Sequence, residues 1–295
     1  MALTVHRPET VDAFLTLAAD YLVAREAEHN LLFGICTSIR TMPELFAEDA
    51  PRFLVLTDAD GRVVAASLRT PPNHQVLSQV DGSDTVDVVA DALVGEALPG
   101  LLAPSEMAAP FLARWLERTG QRAELAAAER IFRLERVIPP ERPPAGSWRM
   151  AEPRDRELVA GWLVAFVAEA LPGESLPPSP LETADRWIAG IYRQLYLWVD
   201  GGRAVSAVGA GGATPNGIRI GPVYTPLEHR GRGYASALTA AASQDQLDRG
   251  RRFCFLFTDL ANPTSNAIYQ AIGYEPVCDM DQYRFERVTS TTIDE

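Results

Sequence analysis

No lysine occurs among the 295 residues, so all 27 basic side chains are arginines. Chemistry that needs an ε-amino group is thereby excluded, whether as nucleophile, Schiff-base former or general base. Cysteine is nearly as scarce: Cys36, Cys254 and Cys278 are an odd number without metal-ligand spacing, which excludes a disulfide framework and fits a reduced, cytosolic protein. His6, His29 and His74 also lack ligand spacing, so no metal site is expected. The opening "MALTVHRPET" has no apolar core of a signal peptide, and no apolar run reaches the ~18 residues of a membrane span. A cytoplasmic location without a membrane partner is expected.

Positive charge is in deficit as well. The net charge of -12 and sequence pI near 4.9 disfavour any broad attraction to nucleic acid or to anionic membrane. A basic site has to be local. The length favours two domains of ordinary size, each long enough to bury its own core.

What is present begins with "VIPPERPPAGSW" at 137–148, where four prolines can support neither a helix nor an interior strand. We divide the chain there into a first domain at 1–138, a linker at 139–147, a second domain at 148–288 and a tail at 289–295. In the first domain, "RFLVLTDADGRVVAASLRT" reads as two strands around the turn Asp58-Ala59-Asp60-Gly61. A third strand is expected near "HQVLSQV", a helix over 108–119, and a closing strand at "RIFRLERV". The second domain repeats that order: strand "WRMA", a helix over 154–170 with Leu158, Trp162, Ala165 and Phe166 on one face, a Pro-rich loop and a second helix. A hairpin follows around Asp200-Gly201-Gly202, then "IRIGPVYT", a long helix capped by Gly250, the buried strand "FCFLFTDL", and a short helix ended by Gly273. The shared order with few shared residues suggests an old duplication with one functional copy.

Between "IRIGPVYT" and the long helix lies "HRGRGYASAL". A strand that feeds a glycine-rich turn opening a helix presents free backbone N–H groups and the positive helix end to whatever sits above it. Phosphate or pyrophosphate is the natural ligand. Gly231 and Gly233 remove Cβ atoms that would block close approach, and Arg230 and Arg232 add charge; a plain strand-to-helix turn with solvated arginines is the alternative. Arg249, Arg251 and Arg252 lie at the far end of the helix, where they read as cations at a C-terminus.

Arg230-Gly231-Arg232-Gly233-Tyr234-Ala235 resembles the [Q/R]-x-x-G-x-[G/A] pyrophosphate loop of the GNAT superfamily of acyl-CoA-dependent N-acyltransferases, and "NPTSNAIYQAIGY" resembles its final helix. The motifs fall in order within 149–287, and the tandem layout also resembles the glycine N-acyltransferase-like branch. The resemblance implies an α/β (α+β) fold of two tandem GNAT-like domains, each a mixed, mostly antiparallel sheet flanked by helices, the first degenerate. It implies acetyl-CoA as acyl-donor substrate, lying between the strand that ends at Thr225 and the one that ends at Asp259. Contacts are expected from Val223, Tyr224, Thr225, Arg230, Gly231, Arg232, Gly233, Tyr234, Ala235, Asn262 and Tyr269.

Acetyl or short-acyl transfer to the primary amine of a small molecule or amino acid is the activity that follows, by direct attack in a ternary complex. A noncatalytic acyl-CoA-binding or sensing protein is the rival reading. The resemblance makes the Val223 N–H the oxyanion donor and Tyr269 the general acid, although Tyr269 beside Ile268 and Ile272 also suits a helix core. Asn262 before Pro263 suits a helix N-cap as well as a cofactor contact. "GIRIGPVYT" carries no carboxylate where relatives often place a base, which leaves Glu169 and Glu174 as candidates, while Glu228 and His229 read as solvent- or cofactor-facing. The acidic stretch "DGSDTVDVVADAL" in the first domain would repel a pyrophosphate, so no CoA is expected there, and a homodimer stays open.

Overall fold

The computed structural model describes residues 2–82, 84–170 and 176–286. Two compact units partition the chain: Met1–Ile131 with Asp259–Ala261 and Val277–Glu295, and Phe132–Thr258 with Asn262–Pro276. A cut at the Pro-rich linker would differ from this partition at both ends. The strand β6 (Arg122–Leu134) gives its last residues to the second unit, and most of the final strand, β12 (Glu275–Glu286), belongs to the first.

In the first unit the strands β1 (Thr4–His6), β2 (Arg52–Thr57), β3 (Val63–Arg69), β4 (Gln75–Leu77) and β5 (Gly100–Pro104) are neighbours in that order, and β12 follows β5. Pairing is antiparallel throughout except between β4 and β5, and Met280 to Arg284 of β12 face Pro104 to Gly100. Strand periodicity sorts the side chains: Leu54 and Leu56 pack with α3 (Thr85–Leu93) and α4 (Ser105–Thr119), whereas Phe53 and Val55 pack with α1 (Val11–Ala24) and α2 (Asn30–Thr41). His29 is a core residue: Nδ1 bonds the Leu22 carbonyl, Nε2 accepts from the Gln79 amide, and burial lowers its pKa to about 4.

The hairpin, the helix over 108–119 and the turn at 58–61 lie where the residue pattern puts them, but α1 and α2 fill a stretch in which no element was expected. β6 starts earlier than "RIFRLERV", because "RAELAAAE" carries little β-forming character although it runs in the same strand.

In the second unit the neighbours run β11 (Phe253–Asp259), β10 (Gly217–Tyr224), β9 (Arg203–Gly211), β8 (Arg193–Asp200) and β7 (Ser147–Met150). Gly201 and Gly202 both have positive φ, 55° and 79°, as a two-residue hairpin turn requires between β8 and β9. Alternation along β8 divides the core. Tyr196 and Trp198 pack with α7 (Tyr234–Asp248) and α8 (Pro263–Ala271); Leu195 and Leu197 face α5 (Arg156–Ala170) and α6 (Pro180–Ile188). α5 is rotated from the expected face: Val159, Leu163 and Val167 are buried, and Leu158 points to solvent. The rotation frees Trp162 and Phe166 for a cleft.

Candidate acyl-donor and acceptor site

The parallel ladder of β10 and β11 is short. Gly217, Ile218 and Arg219 pair with Phe253, Cys254 and Phe255, and no further pair follows although both strands continue. On its other edge β10 stays with β9, through Val223 opposite Val208 and Tyr224 opposite Ala207. A register shift between Ile220 and Val223 contains the cis Gly221-Pro222 peptide. β10 is thus bulged in its middle, and its last residues are unpaired on the β11 side. An edge of this kind offers backbone donors and acceptors to an extended ligand.

Beyond β10 the chain makes a 3-10 turn (Leu227–His229) and enters α7. Gly231 has φ 73°, and Gly233, at the N-cap, has φ 82°. A Cβ on Gly231 would meet nothing within 4 Å, and one on Gly233 only Pro144 Cδ at 3.9 Å, so the glycines are set by backbone conformation and leave open space over the helix end. No side chain caps α7, so its first N–H groups point out toward that space. Here the loop residues leave an open, uncapped helix start.

Arg230 does not reach into the cradle. Its Nε donates to the Thr225 carbonyl at 2.8 Å, and Nη2 donates to the Glu169 carboxylate, which also accepts from the Tyr224 hydroxyl at 3.3 Å. The Arg230 guanidinium holds the Glu169 carboxyl below its ordinary range. That direction is the opposite of what a base working near neutrality requires. Arg232 is exposed, and the Tyr234 hydroxyl donates to Asp200. Arg249 pairs with Asp245 at 2.7 Å within the last turn of α7.

Asn262 acts as a cap, its Oδ1 accepting from the Ser265 amide at 3.0 Å. Tyr269 is 9% exposed, its ring meets Tyr274 edge-on at 6.1 Å, and burial raises its pKa to about 12. Glu174 lies outside the described residues. His229 sits beside the loop with its Nδ1 buried and without a hydrogen-bond partner among the described residues.

The residue pattern did not disclose the apolar cleft on the other sheet face. Trp162 and Phe166 of α5, Trp187 of α6, Leu195, Ala207, Pro222 and Tyr224 line a space of about 20 Å³. The Trp162 and Tyr224 rings lie 6.0 Å apart. Pro222 and Tyr224 belong to the bulged stretch of β10, so the cleft adjoins the segment that the ladder leaves unpaired. The signal was the aromatic content of α5, hidden because three of its aliphatic residues compete for the same face.

Residues 201–285 match the family model described as FR47-like protein. No curated protein matches the chain. Among solved structures, a tandem GNAT protein from the clavulanic acid biosynthesis pathway shares 18% identity at a TM-score of 0.59, covering 98% of this chain and 100% of its own. An acetyltransferase of the GNAT family from Colwellia psychrerythraea shares 9% at 0.57, with 96% and 100% covered. A GCN5-related N-acetyltransferase from Kribbella flavida shares 15% at 0.52, with 75% and 86% covered. The glycine N-acyltransferase-like branch is not among these likenesses. The chain has the tandem GNAT fold, and the stretch that matches the FR47-like model holds the glycine loop, the bulged strand and Tyr269.

Proposed function

We propose that the second unit is an acyl-CoA-dependent N-acyltransferase that moves an acetyl or short acyl group onto a primary amine of a small molecule or amino acid. The observation that carries this reading is the end of the β10–β11 ladder after Arg219, followed directly by the open glycine cradle at the start of α7. Val223, Tyr224 and Thr225 would hold the pantetheine arm as an added strand; the loop from Arg230 to Ala235 would hold the pyrophosphate. The thioester supplies an acyl carbon open to attack by a neutral amine.

The chain's own residues do the rest. The Val223 N–H would stabilise charge on the acyl oxygen. The Tyr269 hydroxyl, kept protonated by burial, is the proton donor to the departing thiolate. Trp162, Phe166 and Tyr224 exclude water and favour the uncharged amine. Tied to Arg230, Glu169 acts in this reading as a tether on the loop; the proton of the amine leaves through water or through Glu174.

A noncatalytic acyl-CoA sensor is the second reading, favoured by the low pKa of the Glu169 carboxyl, which leaves no tuned base among the described residues of the cleft. A CoA-release assay with acetyl-CoA and a panel of amines separates the two: release above the amine-free rate supports transfer, and tight binding without release supports sensing.

A further inference from the structure

Arg193, the first residue of β8, is 9% exposed, yet its Nε and Nη1 have no hydrogen-bond partner among the described residues. Among the described residues no carboxylate acts on it: the titratable neighbours are Tyr192 and a second cation, Arg219, and burial lowers its pKa to about 10, which leaves it charged at neutral pH. An ionised group held away from water without a counter-charge is costly, and folds normally pair it or replace it. Here the surroundings are arranged to keep it.

Two glycines of β9 make its groove: a Cβ on Gly209 would lie 2.8 Å from Arg193 Cδ and 3.2 Å from Nη1, and one on Gly211 would lie 3.0 Å from Arg193 Cβ. The Trp187 and Tyr192 rings stack on the guanidinium at 5.1 and 5.7 Å. Tyr192 sits at φ 64°, a left-handed conformation that a bulky residue adopts only under constraint.

The position of this cation relative to the cleft matters most. The same Cβ point on Gly209 lies 2.7 Å from the Gly221 carbonyl, so the guanidinium neighbours the bulge of β10. Trp187 and Leu195, which flank Arg193, also line the apolar cleft. A molecule in the cleft therefore has aromatic walls along its body, the bulge at one end, and a planar cation behind Trp187.

We propose that Arg193 binds a carboxylate on the acyl acceptor, so that the acceptor is an amine of the amino-acid class with an apolar or aromatic side chain. The proposal rests on the acyltransferase reading for the word acceptor, though not for the site. The incoming carboxylate supplies the counter-charge that the described residues lack and accepts from the guanidinium N–H groups, while Trp187 moves off the guanidinium to admit it.

The test uses the full chain, with phenylalanine, leucine and alanine set against their decarboxylated amines. In the acetyl-CoA assay the wild type is expected to favour the carboxylate-bearing member of each apolar pair, and Arg193→Met to reduce that ratio of kcat/KM by about 10- to 100-fold, with Arg193→Lys between. Binding is read without turnover by titrating phenylalanine against tryptophan fluorescence, a signal that Arg193→Met should abolish. Thermal melting separates binding from scaffolding: removal of an uncompensated cation should leave Tm equal or higher. Equal loss on both members of a pair, a wild-type preference for the decarboxylated amine, no carboxylate-dependent fluorescence change, or a large fall in Tm overturns the proposal. If phenylalanine titrates through Arg193 while acetyl-CoA fails to bind, the carboxylate site stands and the acyltransferase reading falls.

Discussion

Glu169 and Arg230 are ion-paired across a separation of 61 residues, and the pair holds the first arginine of the glycine loop against the end of α5. Both side chains are about two-fifths exposed, so the pair is worth on the order of 0.2–1 kcal/mol. An interaction that weak can be exchanged for a pyrophosphate. Glu169→Gln is accordingly expected to tighten acetyl-CoA binding about 2- to 5-fold and to change kcat by less than about 3-fold. A base role for Glu169 would instead cost about 100-fold in kcat. Calorimetry and steady-state rates on the one variant decide between the two.

The same pair fixes a pH expectation. Because the Glu169 carboxyl is depressed below its ordinary value, it stays ionised from the usual carboxylate range upward and loses its tether only as pH falls through that lowered value. Any acid limb of kcat/KM between about pH 6 and 8 then belongs to the amine or another group, and Glu169→Gln should leave that limb in place. A pH–rate profile of both proteins is the check.

Tyr269 titrates in the opposite sense. With its pKa raised to about 12, the hydroxyl remains protonated across the working range, so no alkaline limb below about pH 10 should arise from it. Tyr269→Phe should lower kcat about 100-fold while the acetyl-CoA Kd stays within about 2-fold. An unchanged kcat would return Tyr269 to a purely core role beside Tyr274.

Gly273 bears on stability rather than chemistry. It has φ 103°, and a Cβ there would lie 2.5 Å from the Arg136 carbonyl, a contact that backbone cannot easily relieve. Gly273→Ala is expected to destabilise the protein by about 1–3 kcal/mol, read as a lower midpoint in denaturant titration.

Local features carried their signals openly in the sequence. The glycine pair in the loop, the Gly201-Gly202 hairpin, Pro263 after Asn262 and the glycines that end α7 and α8 each need a particular backbone conformation, and a short stretch of residues suffices to show it. The first-unit helices α1 and α2 escaped because their apolar residues are interspersed with small polar ones, although Thr10 caps α1 and Pro43 lies just past the end of α2. Long-range partnerships were illegible for a different reason. Nothing near Glu169 announces Arg230, and an arginine opening an apolar strand looks like an ordinary solvated end until Gly209 and Gly211 are found beneath it. The choice of α5 face turned on one residue in the helical register, since aliphatic and aromatic side chains alternate around nearly the whole helix.

In the proposed function, main-chain N–H groups at the start of α7 bind the diphosphate of an acyl-CoA, and only the second unit does so. Isothermal titration of acetyl-CoA into the full chain tests it most directly, with Gly233→Val as the paired measurement. One site per chain is expected, with a loss of at least about 30-fold in affinity when a β-branched residue is forced into the left-handed conformation of Gly233. Two sites per chain, no heat, or an unchanged affinity in the variant would contradict it.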